Sequence, residues 1–307
     1  MSEWLLIVLV RLALPLLQAM PLRWVARIGR AGGALAWHID RRHRKVALAN
    51  LERCLSHQWD APARLALARE NFRRIGENYA SALRTATMTW DQIAPHVDLS
   101  GLAPAKTILD RDPNRGLVVA IGHFGNFELF TWVKVAFPGI QLATTYRALR
   151  QGVATRMLLK LRERSGCLFF ERRRDSKALR QALRSRRTVL GLLADQHDGR
   201  GVRVPFLGID AGTSTAPALF ALRYNCTLLT GYCVRTGFAQ WRLEMGDEIP
   251  TRTDDGRRRS LENIATDMNR SFEHAVGRDP ANWFWVHRRW KPGPAPAPVP
   301  EPTPLPA

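Results

Sequence analysis

The alternation of apolar and polar positions changes character along the chain. Between residues 40 and 90, apolar residues recur every three or four positions while arginines occupy the other face, which predicts helices. Beyond residue 96, short apolar runs alternate with amphipathic stretches. We expect strands at 116–121, 141–145, 188–193, 227–234 and 240–245, and helices near 127–136, 151–165, 176–185 and 216–224. This pattern is typical of an α/β fold in which a mostly parallel central sheet is flanked by helices.

The first 24 residues have the composition of a membrane anchor. Residues 4–20 are apolar except for Arg11 and Gln18, and they include Pro15. This run reaches the lower length limit for crossing a bilayer, whereas Arg11 and Pro15 favour a helix that lies in the interface. Basic residues follow from Arg23 onward, so the positive-inside rule puts the rest of the chain in the cytoplasm. We predict an N-terminal membrane-anchor helix in residues 1–24, attached to the cell inner membrane; the alternative is a buried first helix of a soluble protein.

The other end of the chain has the composition of a disordered tail. Residues 292–307 contain eight prolines in sixteen positions, which predicts an extended Pro-rich segment without a core. Just before it, the apolar run 283–286 predicts a buried strand that leads into the basic residues 287–291. The folded domain is therefore expected to cover residues 25–291.

The charge balance indicates polyanionic partners. The chain has 46 Lys and Arg residues against 27 Asp and Glu residues, a net charge of +19. Nucleic acid, an anionic membrane face and an acidic carrier protein all fit such a surface. The most basic run, residues 171–187, lacks the interleaved aromatic residues that stack on bases, so we expect no nucleic-acid partner. The four cysteines form no CxxC pair, which favours buried thiols in a reducing compartment.

The most informative stretch follows the apolar run 117–121. His123 comes directly after this run in a glycine-bracketed loop, Asn126 is a plausible N-cap, and Glu128 falls in the first turn of the next helix. A carboxylate on one imidazole nitrogen fixes the tautomer and makes the other nitrogen more basic. Such a pair can take the proton of a hydroxyl group that attacks a thioester or ester, while amides at the helix start stabilise the oxyanion. The HxxxxE spacing by itself also fits a structural histidine.

Other chemistries have weaker support in the sequence. The chain contains neither a Walker loop nor a GxGxxG motif, which disfavours nucleotide chemistry. The run 195–198 lacks the additional histidines of a hydrolytic metal site. The run 212–216 approximates a serine-hydrolase elbow but ends in alanine. We therefore expect no metal and no cofactor.

The segment GHFGNFE after a hydrophobic strand resembles the bacterial lipid A biosynthesis acyltransferases, the lauroyl/myristoyl transferase family of the HxxxxD/E acyltransferases. The resemblance extends over residues 1–291 and is carried by further segments in the same order: Asn50-Leu51, Tyr146-Arg147, residues 162–166, Ala194-Asp195-Gln196, residues 205–208, residues 211–216 and the run WFWVHRRWK at 283–291. The Pro-rich tail has no counterpart in that pattern.

The resemblance implies a role for each matching residue. His123 would be the general base and Glu128 the carboxylate that orients it, while Arg147, Arg162 and Asp195 would bind substrate. Asp195 would hold Arg162 in place or bind a sugar hydroxyl of the acceptor.

The resemblance also implies a reaction. The chain would move a fatty acyl group from acyl-carrier protein, or from acyl-CoA, to a hydroxyl of a lipid A precursor at the cytoplasmic face of the inner membrane. Two alternatives stay open: another lipid acceptor such as a lysophospholipid or aminolipid, and a non-catalytic basic protein that binds membrane or nucleic acid.

Overall fold

The computed structural model describes residues 14–112, 114–146, 165–171, 174–184 and 187–291. Several sequence predictions lie outside the described residues: Arg147, Arg162, most of the helix near 151–165, the first part of the anchor and the tail 292–307.

The first third of the described chain is helical, as predicted for residues 40–90. Its helices are α1 (Leu22–Ile39), α2 (Arg41–Leu55), α3 (Ala61–Thr85), α4 (Trp90–Ile93) and α5 (Ala103–Arg111). Asp40 and Asp60 cap α2 and α3, because each carboxylate accepts a backbone N–H of the following turn, at 3.0 and 2.8 Å. These caps separate the continuous periodic pattern into individual helices.

Residues 14–19 are also helical and precede α1. Among the residues that the structure describes, no helix combines the length and apolarity needed to cross a bilayer.

Glycines allow α1 and α3 to pack backbone against backbone. A Cβ atom on Gly33 would lie 2.1 Å from the carbonyl oxygen of Phe72, and one on Gly76 would lie 2.1 Å from that of Gly29. The contact also buries a charge cluster, because the fully buried Glu77 of α3 accepts from Arg30 of α1 at 3.0 Å and from Arg235 at 3.3 Å. A buried carboxylate needs such partners, so the cluster fixes how α3 sits against α1 and the sheet.

The remainder of the chain forms a seven-stranded sheet and a separate hairpin. The strands are β1 (Val97–Asp98), β2 (Leu117–Ile121), β3 (Gln141–Tyr146), β4 (Leu168–Glu171), β5 (Thr188–Leu193), the hairpin β6 (Val202–Phe206) with β7 (Ile209–Thr213), β8 (Thr227–Gly237) and β9 (Gln240–Met245). The sheet order is β1-β9-β8-β2-β5-β3-β4, and every neighbouring pair is parallel except β8 with β9. Helices α6 (Ser176–Arg184), α7 (Ala216–Tyr224) and α8 (Leu261–Arg278) follow β4, β7 and β9. The predicted α/β class with a mostly parallel sheet is confirmed.

The helix predicted near 127–136 is present as a 3₁₀ helix, Phe127–Val135, which we call the 3₁₀ segment. A different local prediction was wrong. Trp283 forms a single bridge with Phe124, and the run 283–286 makes tight turns instead of a strand. Aromatic residues favour burial in either conformation, so the pattern of the run could not distinguish the two.

The glycine contact predicts opposite effects for adjacent residues of α1. Gly33→Ala should lower the free energy of unfolding by about 1–3 kcal/mol, because the methyl group forces the helices apart. Gly32→Ala should raise it by up to about 1 kcal/mol, because a methyl group there meets nothing within 4 Å and alanine favours a helix. Urea unfolding followed by circular dichroism measures the free energy of unfolding of both variants. An equal change in that free energy in the two variants would contradict the close packing of α1 against α3.

Candidate active site

The site lies at the carboxyl edge of two adjacent parallel strands. Ile121, the last residue of β2, pairs with Leu193, the last residue of β5. His123 and Asp195 each follow two residues later, so the register brings them to the same place. This edge is where open α/β sheets place their ligand-binding residues.

Asp195 holds His123 by two contacts. One carboxylate oxygen lies 2.6 Å from the ring Nδ1, and the other accepts the backbone N–H of His123 at 2.8 Å. The Asp195 side chain is 1% exposed and that of His123 is 12% exposed. With Nδ1 donating to the carboxylate, Nε2 is the nitrogen left to accept a proton.

Trp283 completes the surroundings of this carboxylate. Its indole Nε1 donates to Asp195 at 2.7 Å, on the oxygen that also accepts the backbone N–H. Burial by itself would raise the pKa of Asp195, but the charge of His123 and the hydrogen bonds from His123 and Trp283 outweigh it and hold that pKa below its ordinary value. Asp195 is therefore ionised and can stabilise a protonated imidazole.

Residues from the first helices position the segment that carries Trp283. The side-chain amide of Asn71 donates to the carbonyl of Trp283 at 2.6 Å, and that of Asn50 donates to the carbonyls of Trp285 and His287 at 2.8 and 2.7 Å. The helical region is thus part of the architecture of the site.

The loop between His123 and the 3₁₀ segment is tightly constrained. Gly125 has a left-handed backbone with φ of +51°, and a Cβ there would lie 2.4 Å from the carbonyl oxygen of Cys233. Only glycine fits this position of the loop that links His123 to the 3₁₀ segment.

Glu128 shares its surroundings with His123, and its role as the orienting carboxylate stays a prediction. The carboxylate that contacts ring Nδ1 is that of Asp195. Glu128 lines both cavities that adjoin His123. The pKa of Tyr79 is raised above its ordinary value, first by partial burial and second by the negative charge of Glu128. The carboxylate of Glu128 therefore lies near the phenol.

The first of these cavities is mainly apolar and lies between α3 and the 3₁₀ segment. Its volume is about 370 Å³. The apolar part of its wall includes Ile75, Leu83, Phe127, Trp132, Leu193 and Phe284. Tyr79 and Leu83 are 50% and 37% exposed, so the cavity reaches the surface along α3.

The second cavity is larger and more polar. It has a volume of about 640 Å³ and extends from His123 toward Gln196, His197, Ser214 and His287. His287 accepts the backbone N–H of His197 through Nε2 at 3.1 Å. Burial lowers the pKa of His287 to about 4 despite the opposing charge of Asp195, so this wall presents a neutral imidazole near pH 7.

A buried arginine supports the polar wall. Arg289 is fully buried and donates to the carbonyl of Gly212. It also donates to the hydroxyl of Thr213 at 2.7 Å, and its guanidinium carbon lies 5.1 Å from the ring centre of Phe206. Burial lowers its pKa to about 10, so it remains charged at neutral pH.

The structure therefore brings together His123, Glu128 and Asp195 of the residues predicted from sequence. Arg147 and Arg162 lie outside the described residues, whereas Asp195 contacts His123. Sequence reasoning missed Trp283 as a partner of Asp195, since its only signal was its place in the terminal aromatic-basic run.

Comparisons with known proteins identify the family of the chain. Residues 1–292 match the sequence model of a family described as bacterial lipid A biosynthesis acyltransferase. The chain is similar to the lipid A biosynthesis palmitoleoyltransferase of Escherichia coli (strain K12), with 26% identity over 276 residues that cover 87% of this chain and 85% of that protein. It is similar to the same extent to the lipid A biosynthesis acyltransferase of Shigella flexneri.

Proposed function

The chain belongs to the bacterial lipid A biosynthesis acyltransferases, and we propose that it transfers a fatty acyl group from a carrier thioester to a hydroxyl of a lipid A precursor. The observation that carries the proposal is the position of His123. Its ring is fixed through Nδ1 by a buried carboxylate and stands where an apolar and a polar cavity meet.

The reaction follows from this geometry. Nε2 of His123 takes the proton of the acceptor hydroxyl while its oxygen attacks the thioester carbonyl. Asp195 stabilises the imidazolium that forms, as a buried carboxylate does beside a catalytic histidine. When the intermediate collapses, the carbon–sulfur bond breaks and the thiolate takes the proton back from Nε2. We assign the acyl chain to the apolar cavity and the polar acceptor to the larger one.

We retain Glu128 as a catalytic candidate with a different role. It lines both cavities beside His123, which supports a role in which its carboxylate accepts the hydroxyl of the acceptor and directs it toward Nε2. We propose substrate binding for Arg147 and Arg162, since arginine forks match the phosphates of lipid A or of the carrier arm.

The charge of the chain favours acyl-carrier protein over coenzyme A as donor. A net charge of +19 attracts an acidic protein over a large surface, whereas coenzyme A offers only a few phosphates. The basic residues that follow position 23 favour the cytoplasmic side of the inner membrane.

The assignment of the general base is tested by acyl transfer with purified protein. His123→Ala should lower kcat by about 10²–10⁴-fold, because it removes the base. Glu128→Gln and Asp195→Asn should also lower kcat. The exposed His274 supplies a matched control, and His274→Ala should leave turnover unchanged. Undiminished turnover in His123→Ala would refute the mechanism.

Mass spectrometry of lipid A tests the acceptor. A strain that lacks the protein should lose one secondary acyl chain from lipid A and regain it on complementation. Unchanged lipid A together with an altered phospholipid or aminolipid would assign the activity to that acceptor instead.

The outer face of α1 supports attachment at the membrane interface. Trp24, Ile28, Leu35 and Ile39 are 56%, 48%, 62% and 69% exposed, and their spacing places them along one side of the helix. Helix α1 contains three arginines and no acidic residue. An apolar stripe with basic flanks is typical of a helix that lies in the headgroup region of an anionic bilayer.

This face lies near the opening of the apolar cavity. Just before α1, the side-chain amide of Gln18 donates to the carbonyl of Leu83 in α3 at 3.3 Å. Arg84 of α3 donates to the carbonyl of Met20 at 2.8 Å. Leu83 also lines the cavity. A lipid chain could then pass from the bilayer to the cavity without crossing water.

A polarity-sensitive fluorophore tests the orientation. Attached to Leu35→Cys in a Cys167→Ser background, it should shift to shorter wavelength when anionic phospholipid vesicles are added, because the α1 face enters the interface. The other three cysteines are buried. The same probe on Leu219→Cys, which is 49% exposed on α7, is the control and should not shift. Vesicle binding without a shift at position 35 would contradict the proposed orientation.

A further inference from the structure

Asn126 occupies the N-cap position of the 3₁₀ segment without acting as a cap. The sequence predicted that its side chain would accept a backbone N–H of the following turn, but no such hydrogen bond is present. The prediction of a capping role was therefore wrong. The residue is 2% exposed, so its amide does not serve solubility either.

Both polar atoms of this side chain are buried without a hydrogen-bond partner among the described residues. Leaving a buried amide unpaired costs free energy, and most buried polar groups in proteins are paired. An unpaired donor and acceptor at this position therefore call for a partner that arrives with the substrate.

The position of Asn126 indicates which substrate group that is. Asn126 and His123 both line the apolar cavity. They are three positions apart in the chain, so their Cα atoms lie at most about 11 Å from each other, and the left-handed backbone at Gly125 shortens that distance. An acyl group whose chain fills this cavity would have its carbonyl near both side chains.

Another buried amide in the same wall has a structural task. Asn282 also lines the cavity, but its Nδ2 donates to the carbonyl of Cys233 at 2.9 Å. Asn126 is thus a buried amide of this cavity whose N–H donors pair with no other group among the described residues.

We propose that the side-chain amide of Asn126 stabilises the oxyanion of the acyl-transfer reaction, an inference that rests on the proposed function. The acceptor oxygen forms a bond to the thioester carbon and gives its proton to Nε2 of His123. The carbonyl π electrons move onto the carbonyl oxygen, which accepts a hydrogen bond from Nδ2 of Asn126. Collapse re-forms the carbonyl, breaks the carbon–sulfur bond, and lets the thiolate leave with the proton from His123.

Steady-state kinetics and thermal unfolding of the full chain test this assignment together. Asn126→Ala should lower kcat by about 10²–10³-fold, the loss expected when one oxyanion donor is removed, and should change KM little. The melting temperature should not fall, because the amide that is lost has no partner in the folded protein. Asn126→Leu, which keeps most of the side-chain volume, should give the same result, whereas Asn126→Ser keeps a donor and should retain part of the activity.

Ser81→Ala is the matched control. Ser81 is also fully buried with an unpaired hydroxyl, but it lies on α3 and does not line the cavity. This variant should keep its kcat.

The outcomes separate this inference from the function on which it rests. If Asn126→Ala and Asn126→Leu keep a kcat within a few-fold of the wild-type value while His123→Ala loses activity, the role of Asn126 alone is overturned. The role would also be overturned if kcat and the melting temperature both fell in Asn126→Ala and in Asn126→Leu while Asn126→Ser restored no activity. That result would indicate that Asn126 has a structural role. A wild-type protein that transfers no acyl group would instead reject the proposed function.

Discussion

The contact between Asp195 and His123 is the interaction on which the site depends. A carboxylate that is 1% exposed would be expensive to ionise unless it were surrounded by donors. It has three here: ring Nδ1 and the backbone N–H of His123, and the indole N–H of Trp283. These donors keep the carboxylate charged, and the charged carboxylate in turn fixes the imidazole through Nδ1.

The rest of the fold serves to place these donors. Parallel pairing of β2 with β5 brings the ends of the two strands together, and the left-handed turn at Gly125 directs the chain away immediately afterwards. Trp283 comes from a segment that Asn50 and Asn71 hold from the amino-terminal helices. The amino-terminal helices therefore also determine the position of the tryptophan that donates to Asp195.

Much of this arrangement could be predicted from the sequence, because buried parallel strands read as continuous apolar runs. The runs at 117–121 and 188–193 located the strand ends. The first run led to His123 as a candidate residue, and the family resemblance added Asp195 after the second. The partner of His123 could not be predicted this way. Spacing favoured Glu128, five residues away, whereas the true neighbour depends on which strands pair, and strand order is not encoded in local periodicity. The hydrogen bond from Trp283 joins residues 88 positions apart, which no local pattern reveals.

Nitrogen-15 NMR of the His123 ring tests the central claim most directly. The account predicts that the neutral ring carries its proton on Nδ1, with a low-field proton resonance that disappears in Asp195→Asn, while Nε2 has the shift of an unprotonated nitrogen. A neutral ring that carries its proton on Nε2, or an Nδ1 resonance that is unchanged in Asp195→Asn, would contradict it.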